Sequence, residues 1–369
     1  MIFKESDIQA SSYLPVFELK RGETVECVHF GAIAVVNSAG ELVSWYGDPK
    51  MVSFLRSTSK PIQAIPFIEH GGNLKYDLVS KEIAIMCASH SGTDKHVEIL
   101  KSFQSKIDVQ ESELLCGIHD PIDRQTVDVM RERNEHSTPN RHNCSGKHTG
   151  MLAFEKLIKE ISGQAVESFP YIDVSHPVQK EMIRTFAEMC DIPLEQVEIG
   201  IDGCSVPTFA IPLQNGALAF ARLCDPFGGG ILSDKRTYAC QTITQAMMSC
   251  PEMIGGPDRF DTRLMEVTRG RIVSKGGAEG YQGIGIIPGS LGEGSPGIGI
   301  TLKISDGDAR NKVCSAVTLE VLRQLDVLTS SELEELSEFG PSIPILNWRK
   351  MEIGQGYPTF SLESTSPNE

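Results

Sequence analysis

The sequence predicts an α+β protein in which strands from both ends of the chain form one antiparallel sheet, flanked by helices, with a helical lobe inserted between them. Two observations predict this class. Residues 16–46 alternate in the manner of half-buried strands, and strand-like segments return at 270–304. Between these ends, apolar residues recur at helical spacing over 94–162, after Pro177 and over 234–248.

The N-terminal strands are expected to form a hairpin and to lead directly into a helix. Segments 25–30 and 32–36 are typical of strands, and 37–40 (NSAG) has the composition of a turn before a third strand. Apolar side chains then recur at helical spacing over 62–68, until two glycines end the pattern. Residues 57–60 would form the first turn of this helix.

The middle of the chain places polar stretches next to regular elements. A short buried helix is predicted at 81–87, with Ser80 as its cap. A strand at 197–201 runs into the turn 202–207 (DGCSVP), and the end of a strand is a common location for functional side chains. After the C-terminal strands, an amphipathic helix is predicted over 308–325.

The length of 369 residues exceeds that of a typical single domain. The order of elements predicts one domain over 1–360, with a sheet sub-domain at about 1–75 and 265–350 and a helical sub-domain at about 76–264. The polar segment 361–369 is predicted to be a disordered tail.

Composition limits the partners. A formal net charge of −15 argues against nucleic acid and anionic membranes, because phosphate binding draws on clustered lysine and arginine. No apolar run approaches the roughly 20 residues of a membrane span, and the N-terminus lacks the apolar core of a signal peptide. We therefore expect a cytoplasmic protein that acts on a small molecule.

One short segment, 56–61 (RSTSKP), contains both a serine that could act as a nucleophile and a lysine that could act as its base. Ser57 and Lys60 stand three residues apart, so on a first helical turn the hydroxyl and the amine could meet. A neutral lysine can take the proton of a serine nucleophile, which requires an amine pKa well below about 10.4. The alternative is a solvated helical turn with Ser57 as its N-cap.

A second stretch, 141–150 (RHNCSGKHTG), contains nearly every reactive side-chain type within ten residues and would contribute little to a core. Of the ten cysteines, Cys144 in this stretch and Cys204 lie in polar, glycine-containing surroundings, whereas most others lie among apolar residues. From the residues alone, these two are either a metal-binding pair or two free thiols. The glycines near 285–299 match no phosphate-binding motif and are interpreted as structural.

Five blocks taken together resemble a known family. They are 56–61 (RSTSKP), 87–92 (CASHSG), 142–150 (HNCSGKHTG), 200–207 (GIDGCSVP) and 274–277 (SKGG). In this order they resemble the Rhizobium etli type L-asparaginases, the asparaginase II family. The resemblance implies a serine β-lactamase-like or glutaminase-like fold, a homodimer, hydrolysis of L-asparagine to L-aspartate and ammonia, and a zinc ion near the active site.

The resemblance also implies catalytic roles. Ser57 and Lys60 would form one Ser-Lys pair, with Ser57 as the nucleophile and Lys60 as its base, and Ser89 with Lys275 would form a second pair. Two lysines placed close together lower each other's pKa by repulsion, so each would help to keep the other neutral.

Substrate contacts follow from the same resemblance. Arg56 and Asp202 would hold the α-carboxylate and the α-ammonium of the substrate, a pair of opposite charges that suits a small amino acid. His148 and Gly276 would line the same pocket.

Zinc would be held by Cys144, Lys147 and Cys204. Thiolates are ordinary zinc ligands, whereas a lysine must lose its proton to bind.

Other functions are less favoured. Residues 275–277 (KGG) stand where penicillin-recognising enzymes have Lys-Thr-Gly, and no Ser-Asp-Asn occurs, so β-lactam hydrolysis is not expected. A zinc-dependent amidohydrolase would use Cys144, Cys204 and a histidine to activate water. A non-catalytic, zinc-stabilised binding protein would need no neutral lysine.

Overall fold

The computed structural model describes residues 12–163, 169–230, 232–309 and 312–364. The strands are Leu14–Arg21 (β1), Thr24–Asn37 (β2), Leu42–Tyr46 (β3), Val52–Phe54 (β4), Glu198–Ile201 (β5), Pro207–Pro212 (β6), Ile272–Gly277 (β7), Tyr281–Ile286 (β8), Ile298–Ile304 (β9), Ile343–Leu346 (β10), Glu352–Pro358 (β11) and Glu363–Ser364 (β12).

The helices connect these strands. They are Lys60–Glu69 (α1), Gly72–Lys75 (α2), Ser80–Met86 (α3), Asp94–Lys106 (α4), Arg124–Glu132 (α5), Ser145–Ser162 (α6), Pro177–Cys190 (α7), Leu213–Cys224 (α8), Asp234–Ser249 (α9), Pro251–Ile254 (α10), Phe260–Thr268 (α11), Val313–Gln324 (α12) and Ser330–Glu335 (α13), with 3₁₀ turns at Arg56–Ser59, Glu111–Glu113, Pro139–Arg141 and Leu194–Gln196. Within the described ranges, none of the helices has the length and apolar character that crossing a membrane requires.

The main sheet joins the two ends of the chain. Its strand order is β10-β11-β1-β2-β9-β8-β7, β3 pairs with β2, β12 pairs with β3, and every one of these pairs is antiparallel. The N-terminal strands β1 and β2 thus lie between C-terminal strands of the sheet, and the helices α1 to α11 lie in the chain segment between β3 and β7. The predicted α+β class with a sheet from both termini is confirmed.

The two faces of the sheet bury different layers of the core. Because successive side chains of a strand point to opposite faces, Ala32 and Ala34 pack into the cluster that contains α8, whereas Ile33 and Val35 pack into the cluster that contains α12. The continuous apolar stretch in the second half of β2 follows from burial on both faces.

Glycines in β8 and β9 let α8 lie directly against the sheet. A Cβ atom on Gly299 would come within 1.8 Å of the Ala217 carbonyl oxygen, and one on Gly285 within 2.4 Å of the Cys224 sulfur. No side chain fits in these gaps, so glycine is required there for packing. The interpretation of these glycines as structural is therefore supported by the contacts of α8.

The start of the first helix differs from the prediction. Residues 57–60 do not form one α-helical turn: Arg56–Ser59 is a 3₁₀ turn, and α1 begins at Lys60. Arg56 itself has φ of 52°, a left-handed conformation that costs energy for a residue with a Cβ. The turn follows β4, which pairs with β6 in a second, three-stranded sheet of order β4-β6-β5.

Other differences concern strand ends. The segments predicted as two strands at 25–30 and 32–36 belong to the single strand β2, which passes through Gly31, where a Cβ would lie 2.9 Å from the Lys303 carbonyl oxygen. In the predicted tail, β12 pairs with β3, and residues 365–369 lie outside the described residues, as do residues 1–11. The sub-domain boundaries stay a prediction.

Candidate active site

Four separate elements bring the predicted catalytic residues together. Ser57 lies on the 3₁₀ turn, Lys60 begins α1, Ser89 follows α3, and Lys275 lies on β7. Ser57, Ser89, Lys275 and Gly276 line one cavity of about 490 Å³. Residues more than 200 positions apart thus share one site, because β7 pairs through β8 and β9 with the N-terminal strand β2.

Ser89 is the serine held by the lysines. Its hydroxyl oxygen lies 2.9 Å from Lys60 Nζ and 3.0 Å from Lys275 Nζ. Each amine also donates to a backbone carbonyl: Lys60 to Ala88 at 2.6 Å and Lys275 to Gly276 at 2.6 Å. Both lysine side chains are almost completely buried, so the hydroxyl and two carbonyls stand in for the water that these amines lose.

The expected direct contact between Ser57 and Lys60 is not seen. Among the hydrogen bonds of the described residues, none joins these two side chains, because Lys60 Nζ is directed to Ala88 and Ser89. Spacing of three residues brings side chains together only on one regular helix, and here the 3₁₀ turn changes into α1 at Lys60. Ser57 is half-buried and borders the cavity.

Lys275 has the properties of a base near neutral pH. Burial lowers the pKa of Lys275 to about 7; the attraction of Asp261 acts against this, and the positive charges of Lys60 and Arg259 add to it. A large part of the Lys275 side chains is therefore neutral at pH 7 and can accept a proton.

Asp261 is a site residue that the sequence reasoning missed. Its carboxylate accepts hydrogen bonds from Ser274 Oγ at 2.6 Å, the Gly276 backbone N–H at 2.8 Å and Gln282 Nε2 at 2.9 Å. Burial acts to raise the pKa of Asp261, but Lys275 and these hydrogen bonds lower it overall. An aspartate in the first turn of a helix looks ordinary in sequence, and only the fold places it against β7.

The predicted substrate residues lie in two places. Gly276 lines the cavity, whereas Arg56 Nε donates to Asp202 Oδ1 at 2.8 Å, and neither member of this ion pair is among the described residues that line the cavity. Burial acts to raise the pKa of Asp202, but Lys147 and Arg56 lower it overall. His148 is completely buried; its Nδ1 lies 2.8 Å from Tyr171 Oη, and its Nε2 has no hydrogen-bond partner among the described residues.

The predicted zinc ligands form one buried cluster. Lys147 Nζ lies 3.1 Å from Cys204 Sγ, Cys204 Sγ lies 3.6 Å from Asp202 Oδ2, and Cys144 is close enough to Cys204 for each thiol to shift the pKa of the other. The tight turn after β5, in which Ser205 has φ of 73°, presents Cys204. Gly146 allows the start of α6, and with it Cys144, to approach α3, since a Cβ there would lie 2.0 Å from the Ile85 carbonyl oxygen.

Cys144, Cys204 and Lys147 shift one another's pKa values. The hydrogen bond from Cys204 lowers the pKa of Cys144 well below its usual value, with help from Lys60 and Lys147. The same hydrogen bond, together with burial, raises the pKa of Cys204. Burial acts to lower the pKa of Lys147, but the two cysteines raise it overall. These pKa shifts favour the thiolate form of Cys144 and the protonated form of Lys147.

One distance within the predicted donor set is compatible with zinc. A nitrogen and a sulfur that bind the same tetrahedral zinc lie about 3.6 Å apart, and Lys147 Nζ lies 3.1 Å from Cys204 Sγ. A zinc-dependent amidohydrolase that uses the two cysteines and a histidine is not supported, because in the described part of the chain no three His, Cys, Asp or Glu side chains are grouped to hold a metal.

Comparison with solved structures gives distant similarities. A Bacillus glutaminase crystallised in 4.3 M NaCl has 12% identity and a TM-score of 0.36, covering 80% of this chain and 91% of its own. A probable glutaminase of Bacillus subtilis has 12% identity and a TM-score of 0.40, covering 80% and 88%. A covalent complex of B. subtilis glutaminase with 5-oxo-L-norleucine has 12% identity and a TM-score of 0.36, covering 81% and 89%. Scores this low carry no argument for this chain.

Comparison of sequences gives the stronger result. No curated protein matches the sequence significantly. A sequence profile described as L-asparaginase II matches residues 17–357, which runs from β1 through β11 and includes every residue of the cavity and of the thiol cluster. On this match the chain belongs to the L-asparaginase II family, and with it to the amidohydrolases that act on small molecules.

Proposed function

We propose that this protein is an L-asparaginase that hydrolyses L-asparagine to L-aspartate and ammonia through an acyl-enzyme. The observation that carries the proposal is Ser89, whose hydroxyl lies between two buried lysine amines in a cavity that Ser57 also lines. A serine activated by a neutral lysine is sufficient for acyl transfer from an amide. The L-asparaginase II profile supports asparagine as the amide.

Ser57 is proposed as the nucleophile and Ser89 as a proton relay. The hydroxyl of Ser57 is not held by Lys60, and it follows Arg56, whose left-handed backbone is the kind of strain that clusters at active sites. As Ser57 attacks the side-chain carbonyl, its proton passes to Ser89, and Ser89 gives its own proton to Lys275. Lys60 keeps Ser89 in place. The Lys275 proton then leaves with ammonia.

The ion pair beside Ser57 suits the amino-acid part of the substrate. Arg56 and Asp202 offer a guanidinium and a carboxylate that the α-carboxylate and α-ammonium of asparagine can engage. The buried, unpartnered Nε2 of His148 is a further site for a hydrogen bond to substrate, and Gly276 lines the cavity next to Lys275.

Zinc is proposed as a cofactor bound by Cys144, Lys147 and Cys204. Thiolate character at Cys144 and the short distance between Lys147 and Cys204 support this donor set. Bound zinc would supply a positive charge near Asp202 and fix the two turns that carry the cysteines. Lys147 would have to release its proton on binding.

A homodimer is proposed as the assembly, and a cytoplasmic location stays a prediction. Exposed apolar side chains lie around the turn between β10 and β11: Leu346, Trp348 and Met351. Trp348 is fully exposed. Contiguous exposed apolar surface of this kind marks interfaces, and a second copy is the partner that the family resemblance implies.

The first prediction concerns the substrate. L-asparagine should be turned over about 10- to 200-fold faster than L-glutamine in kcat/KM, because one extra methylene in a closed pocket has an effect of this size. Ammonia release from a panel of amino-acid amides, with and without a chelator, measures this. Equal turnover of both amides, or release from neither, would contradict the proposal.

The second prediction concerns acylation. Ser57→Ala should lose nearly all activity, and Ser89→Ala about 100- to 1000-fold, since its relay is removed but not the nucleophile. Ser102→Ala on α4, a serine whose hydroxyl donates to Glu82, is the matched control and should keep full activity. Mass spectrometry after rapid quench should find an aspartyl adduct on the peptide that contains Ser57; an adduct on Ser89 would reverse the two roles.

The pH profile is a second readout of the same mechanism. Because the pKa of Lys275 is lowered to about 7, its neutral, proton-accepting form increases as pH rises through 7. The rate should therefore rise with pH around 7 and level off above it. Loss of this rise in Lys275→Arg, with residual activity retained, would support the assignment, whereas an unchanged profile would remove Lys275 from the role of base.

The third prediction concerns the metal. Purified protein should contain about one zinc per chain, and Cys144→Ser and Cys204→Ser should lose it, since each variant removes a thiolate ligand. Cys27→Ser, at an exposed cysteine, should keep the metal. Elemental analysis measures the content directly, and a metal-free wild-type protein at near-neutral pH would exclude the site.

The fourth prediction concerns the dimer. The wild-type mass in sedimentation equilibrium should be that of two chains, and Trp348→Asp should raise the dissociation constant at least about 10-fold, as buried tryptophans often dominate interfaces. Phe227→Asp, at another exposed aromatic residue away from this surface, is the control. A monomeric wild-type protein, or equal effects of the two variants, would place the interface elsewhere or remove it.

A further inference from the structure

Among the described residues that line the cavity, one carries a guanidinium, Arg259. Arg259 lines the cavity together with Ser89 and Lys275. Its stem packs on Gly255, where a Cβ would lie 2.8 Å from Arg259 Cβ. The residue before Gly255, Ile254, accepts a hydrogen bond from the Ser89 backbone N–H at 2.9 Å. Arg259 is thus fixed beside the serine that carries the two lysine contacts.

The charge of Arg259 is not matched by an acidic partner. Among the described residues, none accepts a hydrogen bond from its side chain or forms an ion pair with it. Asp258 and Asp261 also line the cavity, but neither is paired with Arg259, and Asp261 already accepts hydrogen bonds from Ser274, Gly276 and Gln282. Arg56, in contrast, is paired with Asp202. A guanidinium that faces a cavity without a counter-ion is suited to bind a carboxylate of a ligand.

The position of Arg259 relative to Lys275 indicates which part of a substrate it would meet. Its positive charge acts on Lys275, the residue that in the proposed mechanism returns a proton to the leaving nitrogen. Arg56 and Asp202 adjoin Ser57 instead and are assigned to the amino-acid part that becomes aspartate. In the proposed mechanism this places Arg259 on the leaving-group side of the scissile bond.

The cavity also has room beyond one small amino acid. Its volume of about 490 Å³ falls in the range of roughly 300 to 1,000 Å³ that accommodates ligands of drug size. Arg259, Phe260, Cys314 and Phe339 line the cavity together with Ser89, and the rings of Phe260 and Phe339 lie 5.5 Å apart. Ammonia, the leaving group of asparagine, would leave the part near Arg259 and Phe260 empty.

We propose that Arg259 forms a carboxylate-binding subsite for the leaving group, and that the protein also hydrolyses β-aspartyl amino acids, in which the amide nitrogen of asparagine carries a second amino acid. The inference rests on the proposed function and extends its substrate class. Ser57 Oγ bonds to the β-carbonyl carbon and the C–N bond breaks. The nitrogen takes the proton held by Lys275 and leaves as a free amino acid. Water then cleaves the ester, which releases aspartate and restores the serine.

The test compares two substrates of equal size that differ in one charge, β-aspartylglycine and β-aspartylglycinamide. Aspartate release by the full chain gives kcat/KM for each. In the wild-type protein the ratio should favour β-aspartylglycine about 10- to 100-fold, as expected for a charge-assisted hydrogen bond. Arg259→Gln should bring the ratio to about one, and Arg259→Lys should give an intermediate ratio, because lysine keeps the charge but loses the bidentate geometry.

Arg263→Gln is the matched control. Arg263 also lies on α11, but its guanidinium is paired with Glu266 at 2.6 Å, so the ratio should stay at its wild-type value. A wild-type ratio near one, or a ratio that Arg259→Gln leaves unchanged, would overturn the subsite. Turnover of asparagine without turnover of β-aspartylglycine would overturn this inference and leave the asparaginase proposal intact. Failure to hydrolyse asparagine would count against the proposed function itself.

Discussion

The site depends on burying two lysine amines next to one serine hydroxyl. A buried ammonium without compensation is strongly unfavourable, and two of them within reach of the same oxygen would repel each other. Backbone carbonyls of Ala88 and Gly276 accept hydrogen bonds from the two amines, and the carboxylate of Asp261 supplies a negative charge near Lys275. The lowered pKa of Lys275 reduces the repulsion further, because the neutral amine carries no charge. In the proposed mechanism the amine on β7 is therefore the proton acceptor.

The surrounding architecture maintains this arrangement. Lys275 lies on β7 at one edge of the main sheet, and the order β2-β9-β8-β7 ties that edge to the N-terminal strands. Asp261 binds Ser274, Gly276 and Gln282, and so connects α11 to both β7 and β8. A small displacement of α11 would change the position of Lys275 and also the charge around it, so positioning and basicity depend on the same contacts.

Sequence patterns predicted the α+β class and the sheet built from both termini, because the spacing of apolar residues shows which side chains of each segment are buried and so distinguishes strands from helices. They also placed Ser57, Ser89 and the two cysteines in polar stretches that are unsuited to a core. Patterns could not show that Lys60 turns from Ser57 to Ser89, since that depends on the change from a 3₁₀ turn to α1. Asp261 and Arg259 were missed because an acidic residue and a basic residue near a helix start have no distinctive spacing. Asp261 is recognised by its contacts with β7 and β8, and Arg259 by its place at the cavity with Ser89 and Lys275. Both depend on how the chain folds and not on local spacing.

The glycines under α8 have a consequence for how this enzyme can change. Gly299 faces the backbone of Ala217 with no room for a methyl group, so the layer that sets the distance between α8 and the sheet admits almost no variation. The part of the cavity near Arg259 and Phe260 is built from side chains at the start of α11 and does not share this restriction. New amide substrates could therefore be acquired by exchanging a few residues there, in evolution or by design, while the scaffold that holds the lysines is inherited unchanged.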